Sequence, residues 1–357
     1  MLRCSTDFMG PLQLGQQIIE GEAACTRVNY SWVNKEMPVC GPEHCHLFVC
    51  ETGACEPLNA RLQQGHDLHI AGGCTTDGDC GHGLCEHHTR RCRCPIDAKA
   101  GDFWGGADCS WNNSAVARAH PRYDESKYRI YYEAPNATST NHSTNDAKHS
   151  QSGPGSDLNS TTGVRAVLPR LMTLLGVRTV IDVPCGDFSY MDKVLADPLA
   201  PPELDYVGMD IVESLVHSLQ QRYGTVIGGR PDSPSARSVT FMRFDLSTQR
   251  LWPVDLLIVR DVLFHFSSSR ADDVLRNNIN RSGAKYLLST YYPLGSNARS
   301  ALSFRSGFGF RSFWKINLED APFNLPPPLV AIGRDGRASE RGRVMGLWRL
   351  PFENRRK

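Results

Sequence analysis

The chain has 357 residues, 40% of them hydrophobic and 22% charged, and its formal net charge is +1. That composition is ordinary for a globular protein of one large domain or two domains with a linker. It gives no strong field toward nucleic acid or an anionic membrane, and no stretch is long and apolar enough to span a bilayer.

Of the 13 cysteines, all but Cys185 lie between Cys4 and Cys109. An even, dense set in loop-rich sequence favours disulfides and an oxidising compartment. Zinc is the competing account, but there is no C-x-x-C pair, and His44, His46, His82, His87 and His88 do not fall at finger-like spacing. No structural metal is expected. Within residues 1–73, Cys40, Cys45, Cys50 and Cys55 recur every five residues among glycine, proline and histidine; so small a core needs covalent staples. Glycosylation acceptors of the N-x-S/T type occur at Asn29, Asn112, Asn136, Asn141, Asn159 and Asn280. The opening residues lack the apolar centre of a signal peptide. The expectation is therefore a natural start upstream, carrying a signal or anchor, and a protein of the secretory lumen (Golgi) or cell exterior.

Residues 74–109 space their cysteines as C-x5-C-x4-C-x6-C-x-C-x14-C. A single residue separates Cys92 and Cys94, and these two half-cystines are read as reaching different partners. The segment FWGGADC suits a tight closing turn. This pattern resembles an EGF-like module. The resemblance implies the pairs Cys74–Cys85, Cys80–Cys92 and Cys94–Cys109. The acidic motif of calcium-binding versions is missing before Cys74, so no calcium is expected. Such modules act as spacers or protein contacts, and the spacer is the simpler reading. Residues 110–157 read as a polar linker, partly disordered; the stretch 133–160 is poor in hydrophobic residues and rich in Ser, Thr, Asn and Gly.

From residue 158 to 357 the rhythm changes. Residues 164–176 form an apolar-periodic helix stopped by Gly176, and 178–183 are a continuous apolar run like a strand buried on both faces. Helix 188–196, strand 204–212, helix 213–224 and strand 239–246 follow. Strand 255–264, helix 271–283 and strand 284–292 continue the alternation, and 328–335 with 343–351 suggest a closing pair. Alternating strands and helices argue a parallel sheet covered on both faces. In such sheets ligands bind at the carboxyl ends of strands. Four strands in a row end at or near an aspartate: Asp182, Asp210, Asp245 and Asp261. One could be a helix cap; four together line a polar pocket.

The turn IDVPCGDFSY (181–190) has Pro184, Gly186 and Phe188 where a dinucleotide fingerprint would have three glycines. That disfavours a pyrophosphate ligand, and with it a nicotinamide oxidoreductase; a nucleoside with an amino-acid arm suits the turn better. Residues 152–357, with SGPGSDL, IDVPCGDFSYM, YVGMDIV, VRDVLFHF, SGAKYLLSTYY, WKINLEDAPFNLPPPL and GLWRL in that order, resemble class I S-adenosylmethionine-dependent methyltransferases. The fold implied is α/β: a Rossmann-like sheet preceded by the small disulfide-rich segment. The cofactor implied is S-adenosyl-L-methionine. By the same resemblance Asp182 and Gly186 frame the methionine arm, Asp210 takes the ribose hydroxyls, Asp245 and the Leu246 backbone meet the adenine, and Arg260 and Asp261 lie beside the sulfonium.

Carboxylates and the ring of Phe188 or Tyr190 favour a cation nearby. Methyl transfer to a hydroxyl needs a base; His265 is the candidate because an unperturbed imidazole titrates near neutrality, and Asp261, four residues earlier, can orient it if the stretch turns helical. The competing reading is a structural histidine. Cys185 reads as a small packed residue, with a reactive thiol the alternative. Arg305, Arg311 and Trp314 are candidate contacts for a polar or sugar-like ligand, against a loop packed on its own aromatics. The acceptor expected is a glycan or glycoconjugate hydroxyl. The rival from another class is a secreted binding protein that uses its EGF-like module and has a silent back domain.

Overall fold

The computed structural model describes residues 73–97, 102–119, 129, 150–223, 237–298, 314–333 and 342–352, together with the backbone of four short strands before residue 58. Those strands pair as Cys25–Tyr30 with Lys35–Cys40 and Phe48–Glu51 with Ala54–Pro57, setting Cys25 opposite Cys40 and Cys50 opposite Cys55. Arg305, Arg311, the sequons at Asn136 and Asn141, and most of the expected linker lie outside the described residues.

In the cysteine segment Cys74 is bonded to Cys85, Cys80 to Cys92 and Cys94 to Cys109. The pairs are those the resemblance implied. Cys92, in the strand Arg91–Arg93, and Cys94, just after it, go to different partners. Trp111–Asn112 then joins the sheet of Asp102–Gly105, and helix α1 (Asn113–Ala119) follows. The stretch read as linker is thus structured at both ends: Asn113 and Ser114 are buried, and residues 150–157 pack on the rim of the main sheet.

Helix α2 (Thr162–Leu174) buries Val164, Val167, Leu168, Leu171 and Met172, the i, i+3, i+4 stripe of one helical face. It ends at Gly176 with φ +62, where Gly176 N–H donates to Thr173 O and Val177 N–H to Met172 O. This is a left-handed cap that favours glycine. Strand β1 (Thr179–Asp182), α3 (Ser189–Ala196), β2 (Leu204–Asp210), α4 (Glu213–Tyr223), β3 (Arg237–Arg243) and β4 (Leu256–Val259) come next. Helix α5 (Ser268–Asp273), β5 (Tyr286–Tyr291), β6 (Val330–Ile332) and β7 (Val344–Arg349) complete the fold. The sheet order is 3-2-1-4-5-7-6, parallel except for β7, which runs antiparallel to both neighbours. This is the expected Rossmann-like, methyltransferase-type α/β sheet.

Period-two alternation splits the continuous apolar strands between two cores. Val180, Leu256, Ile258 and Leu288 face α2, α3 and α4, whereas Ile181, Leu257, Val259 and Leu287 face α5. The second core also contains the disulfide cysteines and Phe103, so the cysteine segment shares the interior of the sheet domain. A buried ionic knot fastens it at the amino edge of the sheet. Asp255, just before β4, receives Arg91 Nη2 at 2.6 Å and Lys285 Nζ at 3.0 Å, plus the backbone N–H groups of Arg178 and Thr179. Burial alone would raise its carboxyl, but the Arg91 and Lys285 charges and these hydrogen bonds hold it at about 2. Three sequons fall among the described residues, and each hydroxyl residue is buried: Ser114 accepts from Phe103 N–H, Thr161 donates to Asp157 O and Ser282 to Ile279 O. Asn280 spends both ends of its amide on the Phe352 backbone.

Candidate active site

A cleft opens at the carboxyl ends of β1 to β4, where the strand order reverses between β1 and β4. Its floor is the turn after β1. Cys185 N–H donates to Met209 O, which ties the turn to β2, and Gly186 and Phe188 both take positive φ, +55 and +62. A left-handed backbone at 188 is where a glycine would be free of strain. Here a phenylalanine takes the conformation and gains burial. Its ring packs against Tyr206, Tyr223 and Phe241 at 5.2, 5.0 and 5.0 Å. Phe188 therefore points into the core and does not face a cation. Tyr190 lines the cleft, with the Arg260 guanidinium 5.1 Å above its ring.

The acidic strand ends play three different parts. Asp210 lines the cleft and accepts from Gly186 N–H at 3.2 Å and Val212 N–H at 3.0 Å. Burial pushes its carboxyl up to about 6, against those hydrogen bonds. Asp245 also lines the cleft. Its carboxylate accepts from the Ser247 N–H and hydroxyl, and its N–H donates to Gln249 Oε1 at 2.6 Å. Leu246 and Phe244 give that end an apolar wall.

Asp182 does not reach the cleft. It is wholly buried beneath the turn, where Oδ2 accepts from Tyr206 O–H at 2.7 Å and Oδ1 has no hydrogen-bond partner among the described residues. Burial drives it to about 7; the Tyr206 hydrogen bond and the Arg260 charge pull it down, and Asp210 pushes it up. The same burial, with Asp210 and Asp182 nearby, raises the Cys185 thiol well above its usual range. Cys185 is thus a buried residue packed in the turn at the border of the cleft.

Asp261 has φ +58, a strained value for a non-glycine residue at a site. Its carboxylate is taken by Arg260, Arg343 and the Thr290 hydroxyl. Burial would raise it, but the two guanidiniums hold it below the ordinary range. The chain does turn after it, in the 3-10 turn Leu263–His265, and His265 lines the cleft with Asp261. Asp261 does not orient His265, however: its oxygens are spent on the two arginines and Thr290. Arg260 is buried and reaches back to the rim segment, donating to Gly155 O at 2.6 Å and Ser156 Oγ at 3.2 Å. On the other side Asp187 accepts from Ser150 Oγ and Gln151 N–H and donates its own N–H to Ser152 Oγ. Ser152 and Ser156, held between these two anchors, line the cleft.

Gly186, Asp210, Asp245, Leu246, Arg260, Asp261 and His265 therefore converge, and Asp182 supports them from below. Trp314 is structural: its indole N–H donates to Phe266 O and its ring stacks on Phe323. Sequence reasoning missed Ser152 and Ser156 as lining residues, although their SGPGSDL run was visible. Nothing local marks Arg343, which arrives only because β7 inserts between β5 and β6.

The donor set fits a cationic nucleoside ligand. Two buried carboxylates, one with an oxygen lacking a hydrogen-bond partner among the described residues, have raised proton affinity that a nearby cation would relieve. Asp210 offers an acceptor in the cleft, and Phe244 and Leu246 an apolar wall for a base. No protein-family profile matches the sequence, and neither does any curated protein. Several solved structures are similar. The methyltransferase domain of bacterial CtHen1-CN has 15% identity over 54% of this chain and 100% of its own, with a TM-score of 0.37. Mitomycin 7-O-methyltransferase MmcR has 14% identity over 66% and 63%, with a TM-score of 0.41. Human N-acetylserotonin methyltransferase in complex with SAM has 13% identity over 53% and 51%, with a TM-score of 0.37.

Proposed function

We propose that the chain is an S-adenosylmethionine-dependent methyltransferase that acts on a hydroxyl of a glycan or glycoconjugate in the secretory lumen or outside the cell, with an EGF-like module before the catalytic domain. The observation that carries the reading is Asp210. It is a buried carboxylate at the end of β2, facing a cleft whose floor turn has one glycine and no phosphate cradle. The oxidising compartment is supported by the three disulfides.

S-adenosylmethionine supplies a methyl group on a sulfonium. In this reading Asp210 accepts from the ribose hydroxyls, while Phe244, Leu246 and Asp245 receive the adenine. Gly186 lets the backbone approach the amino-acid arm. Arg260 and Asp261 hold each other and the 150–157 segment, so the reacting end of the cleft is fixed before binding. Such alignment is the main resource for an in-line displacement, with effective molarities up to about 10⁵–10⁸ M. His265 takes the proton of the acceptor hydroxyl. Calorimetric titration of the full chain with S-adenosylhomocysteine tests the cofactor, and labelled methyl transfer to a panel of glycans, lipids and small molecules tests the acceptor. Absence of binding sinks the enzyme reading and favours a binding protein with a silent domain. Transfer only to non-glycan acceptors sinks the substrate.

A further inference from the structure

The cysteine segment and the loop after β3 share a buried, hydrogen-bonded seam. Asn113, the first residue of α1, is fully buried. Its Oδ1 accepts from Arg250 N–H at 2.7 Å and its Nδ2 donates to Arg250 O at 2.8 Å, so one side chain satisfies both backbone groups of a residue 137 positions away. Its carbonyl accepts from Gln249 Nε2 at 3.2 Å, and Gln249 Oε1 in turn accepts from Asp245 N–H at 2.6 Å. On the opposite flank Asn278 Nδ2 donates to Leu246 O and Gln249 O. Around this seam Phe103 packs against Phe244 and Trp252, at 6.2 and 6.1 Å between ring centres, and Gly106 N–H donates to Leu251 O. The approach is so close that a Cβ on Gly105 would sit 2.0 Å from Arg250 O.

Three residues of that loop, Phe244, Asp245 and Leu246, line the cleft. A hydrogen-bonded relay therefore runs from Asn113, just after the cysteine segment and tied to it by the bond from Phe103 N–H to Ser114 Oγ, through Gln249 to the backbone of Asp245. We infer that the cysteine segment is a working part of the cofactor site, not a spacer, and that Asn113 is a positioning residue that sets the adenine end of the cleft. The inference rests on the reading of the cleft as an S-adenosylmethionine site. A loop ordered before binding spares the ligand the cost of ordering it, and that saving appears as affinity. Cys94–Cys109 closes the stretch that carries Phe103, Gly105 and Gly106, so the disulfide framework supports the same wall.

The test uses the full chain and S-adenosylhomocysteine. Asn113→Ala is compared with Arg91→Leu, which cuts the segment's other anchor, at Asp255 on the far edge of the sheet. The expected result is affinity at least tenfold weaker in N113A, with faster amide hydrogen exchange across residues 245–251. R91L is expected to melt at a lower temperature yet bind like the wild type. If N113A does not fold, Asn113→Asp takes its place: it keeps the acceptor for Arg250 N–H and loses the donor to Arg250 O, and it too should bind more weakly. Wild-type affinity in the Asn113 variant, or an equal loss in R91L, overturns the inference while the methyltransferase reading stands. A wild-type chain that binds no S-adenosylhomocysteine overturns both.

Discussion

Replacing Asp182 by asparagine should stabilise the ligand-free protein in alkali and not in acid. The carboxyl is raised from 3.8 to about 7, first by burial. A folded-state value above the unfolded one means that stability is fully present below pH 3.8 and is lost as pH rises through about 7. Above that, holding Asp182 ionised costs roughly 4 kcal/mol, at 1.36 kcal/mol for each tenfold change in proton affinity. Asparagine cannot ionise, and its amide oxygen still accepts from Tyr206 O–H. Its NH₂ falls where Oδ1 has no partner among the described residues, which costs about 1–3 kcal/mol. The balance is a gain of about 1–3 kcal/mol at pH 8. At pH 3 the carboxyl is neutral in folded and unfolded chains alike, so the ionisation cost vanishes and the advantage of the variant is lost. Thermal melts of both proteins at pH 3 and pH 8 measure this directly, as a gain in melting temperature that is present at pH 8 and absent at pH 3. A variant less stable by the same amount at both pH values would refute the reasoning, because Asp182 would then be a well-paired carboxylate throughout.

Asp210, pushed up to about 6, must be ionised to serve a ribose, so S-adenosylhomocysteine should bind more weakly below pH 6 and release protons when it binds near that pH; calorimetry in two buffers of different ionisation enthalpy reads both. Asp210→Asn should remove that pH dependence along with most of the affinity. Asp255→Ala leaves Arg91 buried without its carboxylate and should cost about 3–5 kcal/mol in denaturant titration at pH 7. Because Asp255 is held down at about 2, its contribution is present above pH 3.8 and fades as pH falls toward 2. His265→Ala should slow methyl transfer to a hydroxyl about 10²–10⁴-fold while S-adenosylhomocysteine affinity stays within about twofold; equal losses in binding and turnover would make His265 a structural residue.

Local features were legible because they obey local rules. The stripe from Val164 to Met172, the glycine stop at Gly176 and the apolar runs of β1, β4 and β5 follow from helix and strand periods. A resemblance in cysteine spacing was enough for the three disulfides among the described residues. The aspartates were visible as strand ends, but a strand end has two directions. Sequence could not say that Asp210 faces the cleft while Asp182 lies beneath it, or that Phe188 turns into the core while Tyr190, also buried, borders the cleft.

By itself, then, the sequence determined the alternation of strands and helices, the acidic rim and the covalent frame, because period, caps and spacing are set by neighbours a few residues apart. Only the tertiary structure decided that Arg343 meets Asp261, that residues 150–157 are stapled over the cleft, and that Asn113 grips the backbone of Arg250. Those contacts join residues 82 to 137 positions apart. Their partners are fixed by strand order and burial, which no local pattern encodes.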